Sequence, residues 1–371
     1  MLDQPSKAYV PPASDWERAA PEAAGMDGKT LAAAVDYARS IETRWSRDLE
    51  RPVNDQMNEP PPYNEIVGPM QPRGEQSGVI LRGGRIVAEW GTPDRADMTF
   101  SATKSYLSIC LGLAFDRGMI PDLDAPVCEQ LRGQVDESLF ALPQNRPITW
   151  HMLLQQTSEW SGELWGKPDW LDHHRHSDLK GTKRAMRQPG THWEYNDVRV
   201  NLASLCLMHV WRRPLPDVLR EYVMEPIGAS ENWRWHGYRN SWVEMDGRRM
   251  QSVSGGGHWG GGLFIDSYDH ARIGLLLLRR GLWGGQRILS ERYLAKALAP
   301  CAQNANYGYM FWLNGPQERA PSAPASSFFL SGAGHNVVWI DPEHDLVAVL
   351  RWVQKTKADG VYRRILAALE I

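Results

Sequence analysis

Several features are missing from this chain, and each absence narrows what it can be. No apolar run reaches about 18 residues, so no membrane-spanning helix is expected. The opening stretch MLDQPSKAYVPPASDWERAAPE lacks a basic segment followed by an apolar one, which makes a soluble, cytoplasmic chain the expectation. Neither sign of charge is in excess. With 41 Lys and Arg against 44 Asp and Glu, the net charge of -3 argues against a surface that tracks nucleic acid or coats an anionic membrane. A small molecule is the expected partner. The cysteines Cys110, Cys128, Cys206 and Cys301 have no paired spacing, so no disulfide framework is predicted. Phenylalanine is scarce, 7 residues against 17 tryptophans, and so large a load of a seldom fully buried side chain predicts indoles along a cleft. Internal repeats and a G-x-S-x-G elbow are absent too, the latter arguing against the α/β-hydrolase route to a reactive serine.

What is present suffices for two packed lobes at 371 residues and 42% apolar content. Residues 1–26 read as a Pro- and Ala-rich arm. Asp27 caps a helix in which Leu31, Ala34, Val35 and Ala38 share one face. Residues 46–74 read as a long irregular connection, and GVILRGGRIVAEWG as a hairpin turning at Gly83 and Gly84. Thr99 to Arg117 is the most apolar helical stretch, stopped by Gly118. Residues 119–245 read as mostly helical. Strand signals return in LFIDS, YGYMFWLN, SSFFL, VVWID and LVAVLRW, before a closing helix from Val361 to Leu369. The prediction is an α/β (α+β) lobe from residues 27–118 and 246–371, with a helical lobe at 119–245.

Ser101-Ala102-Thr103-Lys104 places a hydroxyl and an amine three residues apart, on one face of a helix. A serine hydroxyl is a poor nucleophile until a base takes its proton, and lysine serves as that base only where its surroundings disfavour its charge. The apolar run that follows would supply such surroundings. At a helix start the backbone N–H of Ser101 is also a free donor for a developing oxyanion. The spacing alone is weak, since Ser-x-x-Lys is expected about once in a chain this long. Ser177-Asp178-Leu179-Lys180 repeats it, but with no apolar helix behind it, and reads as a polar loop.

The context around Ser101 is more specific. Asp94 to Ser105, PITWHMLLQQTS at 147–158, PGTHWEYND at 189–197 and GGGLF at 260–264 with Asp269 resemble, in serial order, the motifs of the β-lactamase-related, penicillin-recognising serine hydrolases. The likeness covers roughly residues 75–371 and extends to class C β-lactamases, esterases, D-amino-acid peptidases and 6-aminohexanoate oligomer hydrolases. It implies a β-lactamase/transpeptidase-like fold, an antiparallel sheet flanked by helices plus a mostly helical lobe, with the active site in the groove between. It implies catalysis by Ser101, Lys104 and Tyr195, and an oxyanion hole from the N–H groups of Ser101 and Ala333. Whether Lys104 or Tyr195 is the resting base stays open. Asp197 stands where the family commonly has Asn, so either it points away from Lys104 or the base assignment shifts toward Tyr195.

The clearest departure is Leu330-Ser331-Gly332-Ala333, where lactamases carry K-T-G and the next donor. Leucine cannot attract a carboxylate, which favours an esterase or amidase over a β-lactamase. The alternatives are a D-amino-acid peptidase or β-lactamase-type enzyme that finds its substrate carboxylate by other means, such as an arginine, and a non-catalytic binding member of the fold. Gly332 and His335 are candidate substrate contacts. Residues 159–187 carry Trp165, Trp170 and Asp172, which are expected to overhang the cleft and grip substrate. Gly255-x-Gly257-x-x-Gly260 has no strand-loop-helix setting and is not read as a dinucleotide site. His173, His174 and His176 lack zinc-ligand spacing. No metal and no cofactor is expected, and the predicted partner is a small ester or amide.

Overall fold

The computed structural model describes residues 9–13, 15–50, 59–174 and 177–369. Its larger sheet has six strands, every neighbouring pair antiparallel. From one edge they are Trp312–Leu313, Phe328–Gly332, Asn336–Asp341, Leu346–Arg351, Ser77–Arg82 and Arg85–Trp90. Leu346–Arg351 is buried along its length because both faces are covered, and its two-residue alternation sorts its side chains. Leu346, Ala348 and Leu350 meet the helices Gly28–Ser40 and Asp359–Ala367, whereas Val347 and Val349 join the main core with Ser267–Leu278. Asp27 caps the first helix as predicted, Oδ1 accepting from Thr30 N at 2.7 Å, and Gly118 (φ +71°) ends the apolar helix Thr103–Asp116.

The structure corrects the expected organisation in three places. Arg234–Met245, inside the segment read as mostly helical, is a strand of a second, four-stranded sheet with Asp97–Met98, Arg248–Val253 and Gly262–Ile265. Its ends, Arg234-Trp235-His236 and Glu244-Met245, alternate as a half-buried strand should, while Arg239-Asn240-Ser241 fall where the pairing register shifts. The boundary at 245/246 therefore cuts a hairpin. YGYMFWLN contributes only Trp312–Leu313 as strand. The described part of the arm does not hang free: Trp16 is buried, its indole donates to Gly84 O at 2.9 Å, and Arg18 bridges Ile86. Among the described residues no helix is long and apolar enough to cross a membrane.

Candidate active site

The apolar helix Thr103–Asp116 runs through the main core, buried nearly all round, and this fixes what stands at its N-terminal end. Ser101 lies in the 3-10 turn Phe100–Ala102 that leads into it. Phe100 has φ +47°, a backbone region that costs a non-glycine residue about 1 kcal/mol or more. Its ring is held edge-on by Trp45 and Trp352, with centroids 5.6 and 6.2 Å away. Packing thus maintains the bend that turns Ser101 into a cleft of about 440 Å³.

One turn on from Ser101, Lys104 is 1% exposed. Its Nζ donates to Ser101 Oγ at 3.0 Å and to Asp197 Oδ1 at 2.5 Å, and sits 4.6 Å from the centre of the Tyr195 ring. Asp197 therefore does not point away. It opens the helix Asp197–Trp211, where Asn196 is the cap, accepting from Arg199 N at 3.1 Å. Two further side chains hold this turn: Asp172 Oδ2 accepts from Asp197 N at 2.7 Å, and Gln156 Oε1 accepts from Asn196 N at 2.6 Å. A Cβ on Gly256 would run into both Asp197 Oδ1 and Lys104 Nζ, so the glycine-rich loop rejected as a dinucleotide site instead lets backbone close over the Lys104–Asp197 contact. On its far side Asp197 Oδ2 lies 3.8 Å from His258 Nδ1, and His258 Nε2 meets Glu59 Oε1 at 2.7 Å. Burial alone would raise the Glu59 carboxyl, but His258 and Lys180 outweigh it and bring it down to about 2.

The strand Phe328–Gly332, second from the sheet edge, ends against the turn that carries Ser101. A Cβ on Gly332 would collide with the carbonyl oxygen of Thr99, so main chain packs on main chain there. The following turn, Ala333-Gly334-His335, is fixed by Asn336 Nδ2 donating to Ala333 O at 2.6 Å, with Gly334 at φ +69°. Ser101, Tyr195, Gly332, Ala333 and His335 all line the one cleft. Leu330 is fully buried in the main core and is not among the residues that line the cleft.

Trp165 and Trp170 do not line it. They pack against the core, Trp165 edge-on to Tyr238 and Trp170 edge-on to Tyr63, and none of the described residues of 159–187 lines the cleft. Asp172 is fully buried and accepts from Asp197 N. The indoles at the cleft are Trp45 and Trp312, and Tyr195 stacks on Trp312 with an interplanar angle of 22°. Sequence reasoning missed these two, along with Glu59, His258 and Arg319. His258, set among glycines, was the one with a visible signal. Ser177 bonds locally to His174 O and Lys180 meets Glu59, consistent with a loop. Of the three clustered histidines, His176 lies outside the described residues, and among the described residues no acidic, His or Cys cluster could hold a metal ion.

The beta-lactamase family model matches residues 74–370. The chain belongs to that family. Solved structures in its likeness include a penicillin-binding protein homolog from Caulobacter crescentus, at 15% identity and TM-score 0.61, covering 91% of this chain and 97% of that one. A putative 6-aminohexanoate-dimer hydrolase from Bacillus anthracis matches at 16% identity and TM-score 0.54, covering 78% and 77%. EstCE1, a hydrolase with promiscuous acyltransferase activity, matches at 16% and 0.57, covering 92% and 98%. At such identities these neighbours establish the β-lactamase/transpeptidase-like fold. No curated protein matches this sequence.

Proposed function

We propose that this member of the beta-lactamase family is a serine hydrolase that cleaves an ester or amide through a covalent acyl-enzyme on Ser101. The observation that carries the reading is Lys104 Nζ, buried, 3.0 Å from Ser101 Oγ and bonded behind to Asp197. As Ser101 Oγ attacks the carbonyl carbon, its proton passes to Lys104 Nζ while Lys104 hands one of its own to Asp197 Oδ1. The negative charge that develops on the carbonyl oxygen is held by the N–H groups of Ser101 and Ala333. When the tetrahedral intermediate collapses, the bond to the leaving group breaks. Tyr195 gives its hydroxyl proton to that group and takes one back from Lys104, which recovers its proton from Asp197. Water repeats the sequence on the acyl-enzyme and frees the acid. Asp197 thereby turns the Ser-Lys pair into a three-member relay, and no metal or cofactor takes part in it.

The test is intact mass after exposure to a fluorophosphonate, comparing wild type with Ser101→Ala and Ser177→Ala. One adduct, lost only in Ser101→Ala, is expected, with ester turnover falling by a factor of about 10³ or more in that variant. A wild type that neither labels nor turns over any ester or amide would overturn the reading in favour of a ligand-binding member of the fold.

A further inference from the structure

The row of ionisable groups behind the nucleophile does not stop at Asp197. On its far side His258 is buried, with Nδ1 3.8 Å from Asp197 Oδ2 and Nε2 2.7 Å from Oε1 of the buried Glu59. Lys180 Nζ reaches the same Glu59 oxygen at 3.1 Å. From the nucleophile outward the order is lysine, carboxylate, imidazole, carboxylate, lysine. The imidazole is the member whose kind changes charge in the range where enzymes work. Glu59 lies before residue 74, where the family match begins, so this end of the row comes from a part of the chain that the family likeness does not cover.

The ring is held in place from both sides. Gly257 N donates to Ser254 Oγ at 3.0 Å, and Trp259 O accepts from Val67 N at 3.0 Å and from Gly68 N at 2.9 Å. The indole of Trp259 stands edge-on to the imidazole, with centroids 4.3 Å apart. Glu59 is brought down to about 2 by His258 and Lys180 against the effect of burial, so it is a carboxylate in working conditions and can only accept. Nε2 therefore carries a proton. The proton that comes and goes is the one on Nδ1, the atom that faces Asp197.

We propose that His258, fixed by Glu59, is a positioning residue that sets whether Asp197 can act as the proton acceptor behind Lys104. The inference rests on the hydrolase reading above. A neutral ring turns the Nδ1 lone pair toward Asp197 Oδ2, which disfavours the carboxylate and so favours uptake, at Oδ1, of the proton that Lys104 releases. A cationic ring turns an N–H toward the same oxygen and favours the carboxylate. Lys104 then keeps its proton, and Ser101 is not activated. The ring's second proton is taken from solvent and returned to it, and no other bond changes. Of the remaining titratable neighbours, Asp172 accepts from Asp197 N, and Lys167 lies over the Trp259 ring at 5.0 Å. Burial brings Lys167 down to about 8 and pushes Tyr238 up, so through the acid range the first keeps its charge and the second its proton.

The test combines the pH dependence of ester hydrolysis with a proton NMR titration of the His258 ring. In the wild type kcat should fall on the acid side along a limb that coincides with the ring's titration. KM should change little, because neither His258 nor Glu59 lines the cleft. Glu59→Gln removes one anion that favours the second proton, and should move both limb and ring titration to lower pH by about one pH unit. Asp197→Asn removes the other, and should move the ring titration down by about as much. His258→Gln should abolish the limb. A ring titration that is the same in Asp197→Asn as in the wild type, or a limb that stays in place in both Glu59→Gln and His258→Gln, would overturn the inference. If either outcome appears in an enzyme that labels at Ser101, the role of His258 fails alone. A wild type that neither labels nor turns over any ester or amide ends the hydrolase reading and this role with it.

Discussion

Two groups of arginines lie within this protein, and they are treated in opposite ways. Under the helix Asp197–Trp211, Arg184 donates to Glu159 at 2.6 and 2.8 Å and to Glu194 at 2.7 and 3.2 Å. Arg199 reaches Glu159 Oε1 at 3.2 Å, Asp169 Oδ2 at 3.4 Å and Trp160 O at 3.0 Å. Each guanidinium there has its carboxylates, and Glu159, which burial alone would raise, is brought down to about 2 by Arg184 and Arg199. In the cleft Arg319 has a serine hydroxyl and an indole face. A balanced buried network is complete as it stands and serves the fold. Arg272 and Arg351 show a third solution, buried guanidiniums satisfied by main-chain carbonyls, Arg272 on Pro11, Pro12 and Ile227 and Arg351 on Met98 and Ile265.

The comparison can be broken most sharply at Glu159. Glu159→Ala leaves both Arg184 and Arg199 short of a charge in a closed interior and should cost about 3–5 kcal/mol in urea unfolding. Cost near zero would mean that the network is not holding the helical lobe. Glu159 is also depressed from its ordinary 4.5 to about 2. It therefore binds fewer protons folded than unfolded across that interval. Its stabilisation is fully present above about pH 4.5 and lost as pH falls toward 2, and the slope of stability against pH there should be shallower in Glu159→Gln.

Asp197→Asn comes next. It removes the proton acceptor behind Lys104 while keeping a polar group of the same size, and should lower kcat by about a hundredfold in ester hydrolysis. Undiminished activity would return the base role to Lys104 and Tyr195 alone. Trp170→Ala should cost about 1–3 kcal/mol of stability through lost packing against Tyr63 and leave kcat and KM unchanged, because its ring lies outside the cleft. A changed KM would bring the 159–187 excursion back to the substrate. At the bottom of the scale, the exposed pair Arg212–Asp246 should be worth no more than about 1 kcal/mol by double-mutant cycle, in contrast to the buried network.

The degree to which the sequence disclosed all this follows from what local pattern can carry. The cap at Asp27, the stop at Gly118, the strands around 328–351 and the pairing of Ser101 with Lys104 depend on neighbours within a turn or a two-residue period, and they were readable. The cleft wall was not. Arg319 reaches its place because Asn314 gathers a loop through three carbonyls, and Trp45 meets Phe100 across 55 positions of chain. Tryptophan at 165 and 170 has the right chemistry for a cleft, but the two rings pack on Tyr238 and Tyr63, and no periodicity announces partners so far along the chain. Asp197 shows the intermediate case: its departure from the common asparagine was plain, and only the structure could show that it turns toward the lysine.

The collision that any side chain at Gly332 would meet with the Thr99 carbonyl has a mechanical corollary. On the proposed mechanism, the spacing between Ser101 Oγ and the Ala333 N–H is gauged by two stretches of backbone in contact, with no side chain acting as a spacer. Thermal motion of the strand end and of the helix start must then keep step. Residues all around the cleft could be exchanged for others suited to a new substrate while that gauge keeps its setting, so recognition could drift over a wide range without recalibrating the chemistry.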